Sequence, residues 1–238
     1  MTGEPALHYI GDELQAFARA TNWKRYLAGQ IRPFLGREVL EVGAGLGETA
    51  LALCSPAQAR WVLLEPDPDL AASARTRLAG AGLSAQWQVR AGTTMSLGPD
   101  EQFDSIIYVD VLEHIERDAA ELAQSMRHVR PGGHLVVLAP AHQWLFTAFD
   151  ARIGHFRRYT RRSLTSAGPP GATLVRVRYL DAAGMGASLS NRVLLRQAMP
   201  TLKQLWLWDK CLVPVSRILD PLLAYRAGKS ILAVWQRR

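Results

Sequence analysis

The chain has 238 residues, 48% of them hydrophobic and 21% charged, with a formal net charge of +7. This is ordinary globular composition on a chain long enough for one α/β domain with an elaboration. Its longest apolar run, near Leu135–Ala141, falls far short of the roughly 20 residues that cross a bilayer, which excludes a spanning helix of the usual kind.

Met1–Asp12 has no basic stretch followed by an apolar one, so no secretory signal is read there. Cys54 and Cys211 lie far apart without metal-ligand spacing, and a reduced, cytoplasmic protein is expected. The charge is unevenly placed. Residues 1–150 hold 12 Lys and Arg against 18 Asp and Glu, whereas residues 151–238 hold 16 against 3. The basic half either draws an anionic partner or is a solvated face that aids solubility.

In chain order, Leu14–Phe34 is predicted to be an amphipathic helix, with Leu14, Phe17, Trp23, Leu27 and Ile31 on one side and Pro33 and Gly36 closing it. Strands are predicted at Glu38–Val42, Arg60–Glu65, Ala85–Arg90, Phe103–Val109 and His134–Ala139. Helices are predicted between them at Glu48–Cys54, Asp69–Ala79 and Arg117–Val129, the last stopped by Pro131-Gly132-Gly133. The compact runs VLLE and LVVL suit strands buried on both faces. Thr160–Ala167 reads as a helix, Ala172–Leu180 as a strand, and Ser230–Trp235 as a last strand. The expected fold is α/β, a doubly wound and mostly parallel seven-stranded sheet. Four parts are expected: an N-terminal helical segment covering the cofactor site (1–36), the α/β core (37–183), a helical insertion or cap (184–228) and the last strand (229–238).

The most informative motif is Val39–Ala50, VLEVGAGLGETA. A strand runs into Gly43, Gly45 and Gly47, where positive φ and close ligand approach are allowed, and a helix N-terminus follows. The spacing is G-x-G-x-G, not the dinucleotide G-x-G-x-x-G. Glu41, two residues before the first glycine, suits a ligand ammonium better than a pyrophosphate. Glu65 ends the next strand, where an acid accepts hydrogen bonds from ribose hydroxyls.

On these residues, together with LLEPDPDL, FDSIIYVDVLEHI and the helix–RPGGHLVVLAP unit, Trp23–Leu164 resembles the class I S-adenosylmethionine-dependent methyltransferases. The resemblance implies that Glu41, Gly43, Gly45 and Gly47 cradle the methionine part of S-adenosylmethionine and that Glu65 with Pro66 holds the ribose. It further implies that Gly92 and Thr93 pack against adenine and that Asp110 contacts cofactor. Many relatives carry an Asp in the Gly92 loop, and this chain has none. The product would be S-adenosylhomocysteine.

Acceptor chemistry is expected beyond the carboxyl ends of the strands. Asp110-Val111-Leu112-Glu113-His114 is similar to a pattern that binds a divalent metal in some quinone and RNA O-methyltransferases. No metal is assigned to it here, and His114 is a candidate base. Pro140–Tyr159 looks like a subgroup segment of the type WL…FD…GH.RRYT. His155 and Asp150 are candidates to orient or deprotonate the acceptor. Trp23, Tyr26, His142, Arg157, Arg158 and Tyr159 are candidates to bind it, and the alternative for this segment is a loop anchored by an Asp–His hydrogen bond and salt-bridged arginines. The expected activity is methylation of a small molecule, a hydrophobic or anionic natural-product or glycan/lipid-linked intermediate, at oxygen first and nitrogen or carbon second. The competing readings are an RNA methyltransferase, against which the chain has no appended RNA-binding signature, and a cofactor-binding regulatory or scaffold protein. Leu202–Leu223, with Trp and Leu flanked by basic residues, is expected to be core, a homodimer contact, the roof of an apolar pocket or a peripheral membrane contact. Whether the protein is monomer or homodimer is left open.

Overall fold

The computed structural model describes residues 19–81, 86–190 and 201–238. Seven strands form one sheet: β1 (Glu38–Val42), β2 (Arg60–Glu65), β3 (Trp87–Ala91), β4 (Phe103–Val109), β5 (Val129–Pro140), β6 (Thr173–Leu180) and β7 (Ser230–Gln236). Their order is β3-β2-β1-β4-β5-β7-β6. β1 to β5 pair in parallel, and β7 runs antiparallel between β5 and β6. This is the doubly wound sheet expected from strand–helix alternation.

The strand sequences dictate two cores. Successive side chains point to opposite faces of the sheet. Val39, Trp61, Leu63, Ile107, Val136 and Leu138 therefore meet helices on one side, while Leu40, Val62, Leu64, Ile106, Leu135 and Val137 do so on the other. All twelve are fully or almost fully buried, which explains why these strands read as continuous apolar runs.

Helix α1 spans Thr21–Ile31 and a 3-10 turn continues it to Phe34. This shortens the expected helix from Leu14; residues 14–18 lie outside the described part, and Ala20 already has non-helical backbone. Helices α2 (Glu48–Leu53), α3 (Pro68–Gly80), α4 (Asp118–Arg127), α5 (Ala148–Arg152) and α6 (Arg161–Ala167) follow. The Asp67 side chain caps α3, accepting from the Asp69 and Leu70 amides.

Pro131-Gly132-Gly133 does not stop α4, which ends at Arg127 with β5 starting at Val129; it lies inside β5 instead. The glycines explain this. A Cβ on Gly133 would sit 2.5 Å from the Asp104 carbonyl oxygen, so only glycine lets β5 run this close to β4. Their backbones also pair with Arg237, extending the ladder.

Between β6 and β7 lie α7 (Ala182–Ser190), α8 (Leu202–Leu207), a π-helical turn (Trp208–Leu212) and α9 (Val213–Leu222). Three buried aspartates fix this insertion. Asp209 accepts from the Asn22 and Trp23 amides at 2.9 and 3.0 Å, giving α1 the N-terminal cap that its own sequence lacks. Asp220 accepts from the Asp181 and Ala182 amides at the start of α7 and from the Tyr26 hydroxyl at 2.6 Å. Asp181 accepts from Trp208 Nε1 and Ser216 Oγ.

Candidate functional site

The site lies at the carboxyl ends of the parallel strands, where the direction of winding reverses between β1 and β4. The chain leaves β1 through three left-handed glycines: Gly43 at φ 67°, Gly45 at φ 52° and Gly47 at φ 76°. A Cβ on Gly43 would meet Val111 at 2.6 Å. The glycine turn is thus pressed directly against the loop that leaves β4. Glu65 braces the turn from the next strand. Its Oε2 accepts from the Gly45 amide at 2.7 Å and its Oε1 from the Asp67 amide at 3.0 Å. Each oxygen keeps a second lone pair for a ligand hydroxyl. Burial raises the carboxyl pKa of Glu65 against the pull of both amides.

Glu41 is buried under the turn, and Trp61 Nε1 donates to it at 3.1 Å. Desolvation pushes its pKa up to about 8; the Trp61 hydrogen bond opposes this and the neighbouring Glu65 charge adds to it. A carboxyl held under such tension becomes an anion readily only when a cation arrives. Gly92 has φ 147° and donates its amide to the Glu65 carbonyl. Thr93 and Pro66 are exposed beside it.

The loop after β4 carries the second group. Asp110 adopts φ 54°, a conformation that few non-glycine residues hold without purpose. Its accessible area is large although protein surrounds it closely, as for a side chain lining a concavity. Desolvation raises its pKa to about 6 against the nearby charges of His155, Lys229 and Arg158. Leu112–His114 form a 3-10 turn, so Glu113 and His114 do not share one side of an α-helix with Asp110. The groups that converge are instead Glu113, His114 and His155, whose potential ligand atoms all lie within 4.8 Å of one another. The His114 and His155 rings meet edge to face at 4.6 Å. Burial and the adjacent His155 push His114 down to about 4. Burial and the Asp110 charge push Glu113 well up.

His155 arrives on the long segment after β5. This segment is anchored at many points. The Asp150 carboxylate, 1% exposed, accepts from the Thr147 amide and hydroxyl, from Arg158 through two nitrogens and from His155 Nδ1 at 3.0 Å. Burial alone would raise its pKa, but these hydrogen bonds and the Arg158 charge bring it down to about 2. The Phe156 amide donates to the Glu113 carbonyl, clamping the two loops together. Asp150 thereby fixes the ring of His155 and leaves Nε2 turned toward Glu113 Oε1, 3.8 Å away. His142, at φ 65°, stacks on Tyr179 with its Nε2 buried and without a hydrogen-bond partner.

The other expected acceptor contacts are committed elsewhere. Trp23 packs on Trp208 at 5.7 Å and Tyr26 bonds Asp220, so both join α1 to the insertion instead of facing an acceptor. Tyr159 is buried and donates to Asp118. Arg157 pairs with Asp118 at 2.7 Å and Arg158 with Asp150. One site residue lacked its partner in the sequence, and another had no signal at all. Glu113 sat inside a recognised pattern, but its partner His155 is 42 positions away. Lys229, next to β7, pairs with Asp181 at 3.4 Å and contributes charge at Asp110; no local pattern signals it.

Comparison with known proteins agrees with this geometry. A family model described as a methyltransferase domain matches residues 40–135. An "uncharacterized methyltransferase" of Mycobacterium bovis is 30% identical over 206 residues, covering 81% of this chain and 76% of the relative. A demethylmenaquinone methyltransferase of Tropheryma whipplei is 28% identical over 133 residues, 56% of this chain and 54% of that one. Among solved structures, the geranyl diphosphate C-methyltransferase of Streptomyces coelicolor, in complex with Mg2+, geranyl diphosphate and S-adenosyl-L-homocysteine, is similar with a TM-score of 0.65 at 13% identity, over 99% of this chain and 86% of that one. The mitomycin 7-O-methyltransferase MmcR is similar with a TM-score of 0.60 at 16% identity, over 98% of this chain and 59% of that one.

Proposed function

The chain belongs to the class I S-adenosylmethionine-dependent methyltransferases, and on that premise we propose that it methylates an oxygen of a small, largely apolar acceptor held between the glycine turn and the segment after β5. The observation that carries this reading is the abutment of two built sites. The glycine turn, with Glu41 beneath it and Glu65 beside it, leaves no room for a Cβ on Gly43 against Val111, and Val111 lies two residues before Glu113 of the Glu113/His114/His155 cluster.

The residues fit the cofactor. Burial leaves Glu41 ready to pair with an ammonium group, Glu65 keeps acceptor capacity for ribose hydroxyls, and Gly43 has no room for a side chain. When bound, S-adenosylmethionine supplies an electrophilic methyl group and leaves as S-adenosylhomocysteine. The chain itself aligns the acceptor and disposes of its proton. His155 is suited to the second task, because Asp150 fixes its Nδ1 and leaves Nε2 for the acceptor side. Asp150 acts as a positioning residue. His114, driven toward its neutral form, is the second imidazole within reach.

With Arg157 and Arg158 already paired to carboxylates, an apolar hydroxyl compound is better served than an anion. The names of the similar proteins, which act on demethylmenaquinone, mitomycin and geranyl diphosphate, support a small organic acceptor. The test is calorimetric titration with S-adenosylmethionine and S-adenosylhomocysteine, followed by methyl transfer to a panel of phenols and prenyl compounds. Micromolar binding that Glu65→Ala abolishes is expected. His155→Ala should keep cofactor affinity and lower turnover about 10²–10⁴-fold, the usual worth of a positioned base. No cofactor binding by folded protein would refute the reading.

A further inference from the structure

We propose that Glu113, His114 and His155 form a binding site for one divalent first-row transition ion on the acceptor side of the cleft. Three features converge on it. The ligand atoms lie within 4.8 Å of one another although they come from two separate loops. Glu113 is 1% exposed, and its Oε2 is buried with no hydrogen-bond partner, which is costly for a carboxyl group unless something fills the gap. Glu113 Oε1 and His155 Nε2 are 3.8 Å apart, too far for a hydrogen bond. That gap suits two ligands flanking one ion at bonds of roughly 2.0–2.2 Å. The third feature is the support behind His155: its Nδ1 is held by Asp150, and Asp150 by Arg158. A carboxylate behind a ligating imidazole is the usual way to fix its tautomer and orientation. Two imidazoles and one carboxylate favour ions such as Mn2+, Co2+ or Zn2+ over Mg2+ or Ca2+, which prefer all-oxygen shells.

The role of such an ion rests on the methyltransferase reading: with the ion bound, His155 Nε2 is a ligand and no longer the base, and the ion would instead draw an acceptor oxygen into line and favour its deprotonated form. Its binding does not rest on that reading. The experiment is a titration of the metal-free protein with Mn2+, followed by the loss of the free-ion electron paramagnetic resonance signal, and with Co2+, followed by visible absorption. Neither contains cofactor. One ion per chain is expected. Glu113→Gln, which keeps the shape, and His155→Ala should each weaken it at least about tenfold, and Asp150→Asn about 10–100-fold. Circular dichroism checks that each variant is folded. Absence of binding by the folded wild type, or binding indifferent to Glu113→Gln and His155→Ala, overturns the site. A parallel S-adenosylmethionine titration separates the two failures: cofactor binding without an ion removes only this inference, and an ion without cofactor binding removes only the methyltransferase reading.

A different observation carries a second inference. The insertion buries its acids and exposes a row of large apolar side chains. Within 201–228 the acids are Asp209 and Asp220, and both are buried, at 2% and 0% exposure. Trp208 and Val213 are buried in the core, but four large apolar side chains face outward: Leu202, Trp206, Ile218 and Leu222 are 62–75% exposed. Lys203, Lys210, Arg217 and Arg226 are exposed with them. The result is an apolar face rimmed by cations with no exposed anion among the described residues. A second copy meeting this face about a two-fold axis would bring like charges together. An anionic lipid surface meets both the charge and the apolar side chains, and we infer that α8 and α9 dock there.

Sedimentation with vesicles of phosphatidylcholine alone, and of phosphatidylcholine with phosphatidylglycerol, tests this. Binding only to the anionic vesicles is expected, weakened by salt and reduced at least about tenfold by Ile218→Glu with Leu222→Glu. Equal binding to both vesicle types, no binding to either, or self-association in sedimentation velocity that the same double variant abolishes would each overturn it.

Discussion

Replacing Glu41 with Gln tests the electrostatic logic of the cofactor turn without any ligand. The buried carboxyl is pushed from its ordinary 4.5 up to about 8, chiefly by desolvation. In the unfolded chain it ionises near 4.5; in the folded protein it keeps its proton until about 8. Between these values the folded state binds more protons than the unfolded one, so stability falls as pH rises. The full difference, about 3.5 pH units at about 1.4 kcal/mol each, is on the order of 4–5 kcal/mol. Gln carries no charge and can still accept from Trp61 Nε1, which in the wild type donates at 3.1 Å. Urea unfolding of both proteins at pH 5 and pH 8 reads the difference directly. Glu41→Gln should gain about 4 kcal/mol on the wild type between the two pH values, while losing affinity for S-adenosylmethionine. A stability difference that does not change with pH would show that Glu41 ionises normally under the turn, and would refute its proposed readiness for a ligand ammonium.

Three further outcomes are expected. Gly43→Ala places a Cβ 2.6 Å from Val111 at φ 67°; it should cost about 2 kcal/mol or more and lower the unfolding temperature by roughly 4–8 °C. Tyr26→Phe removes the 2.6 Å donor to buried Asp220 and should cost about 1–2 kcal/mol in denaturant unfolding. Asp150, held at about 2 against an ordinary 3.8, contributes about 2 kcal/mol above pH 4 that is lost as pH falls toward 2; acid unfolding of Asp150→Asn should lack that part of the pH dependence.

Much of the cofactor half was legible locally. Buried parallel strands read as apolar runs, and a turn that needs positive φ three times in five residues uses glycine each time. Glu41 and Glu65 stand at fixed offsets from that turn. The acceptor half was legible only in part. His155, Asp150, Arg157 and Arg158 drew notice as a polar cluster, but whether each faced an acceptor or a neighbour depended on partners tens of residues away. Asp118 takes Arg157, and Asp150 takes Arg158 and holds His155. The partners of Trp23 and Tyr26, Trp208 and Asp220, are about 190 residues distant and equally invisible locally.

The amino-acid sequence by itself therefore determined the sheet, its winding and the glycine turn, because these follow from periodicity and backbone geometry within a few residues. Only the tertiary structure decided which carboxylates anchor loops and which remain unsatisfied, and that Glu113 and His114 are completed by His155. It also decided that the insertion turns its acids inward and one row of its apolar residues, Leu202, Trp206, Ile218 and Leu222, outward. Burial, pKa and hydrogen-bond satisfaction are properties of the assembled environment, and no local pattern encodes which distant group will supply the missing partner.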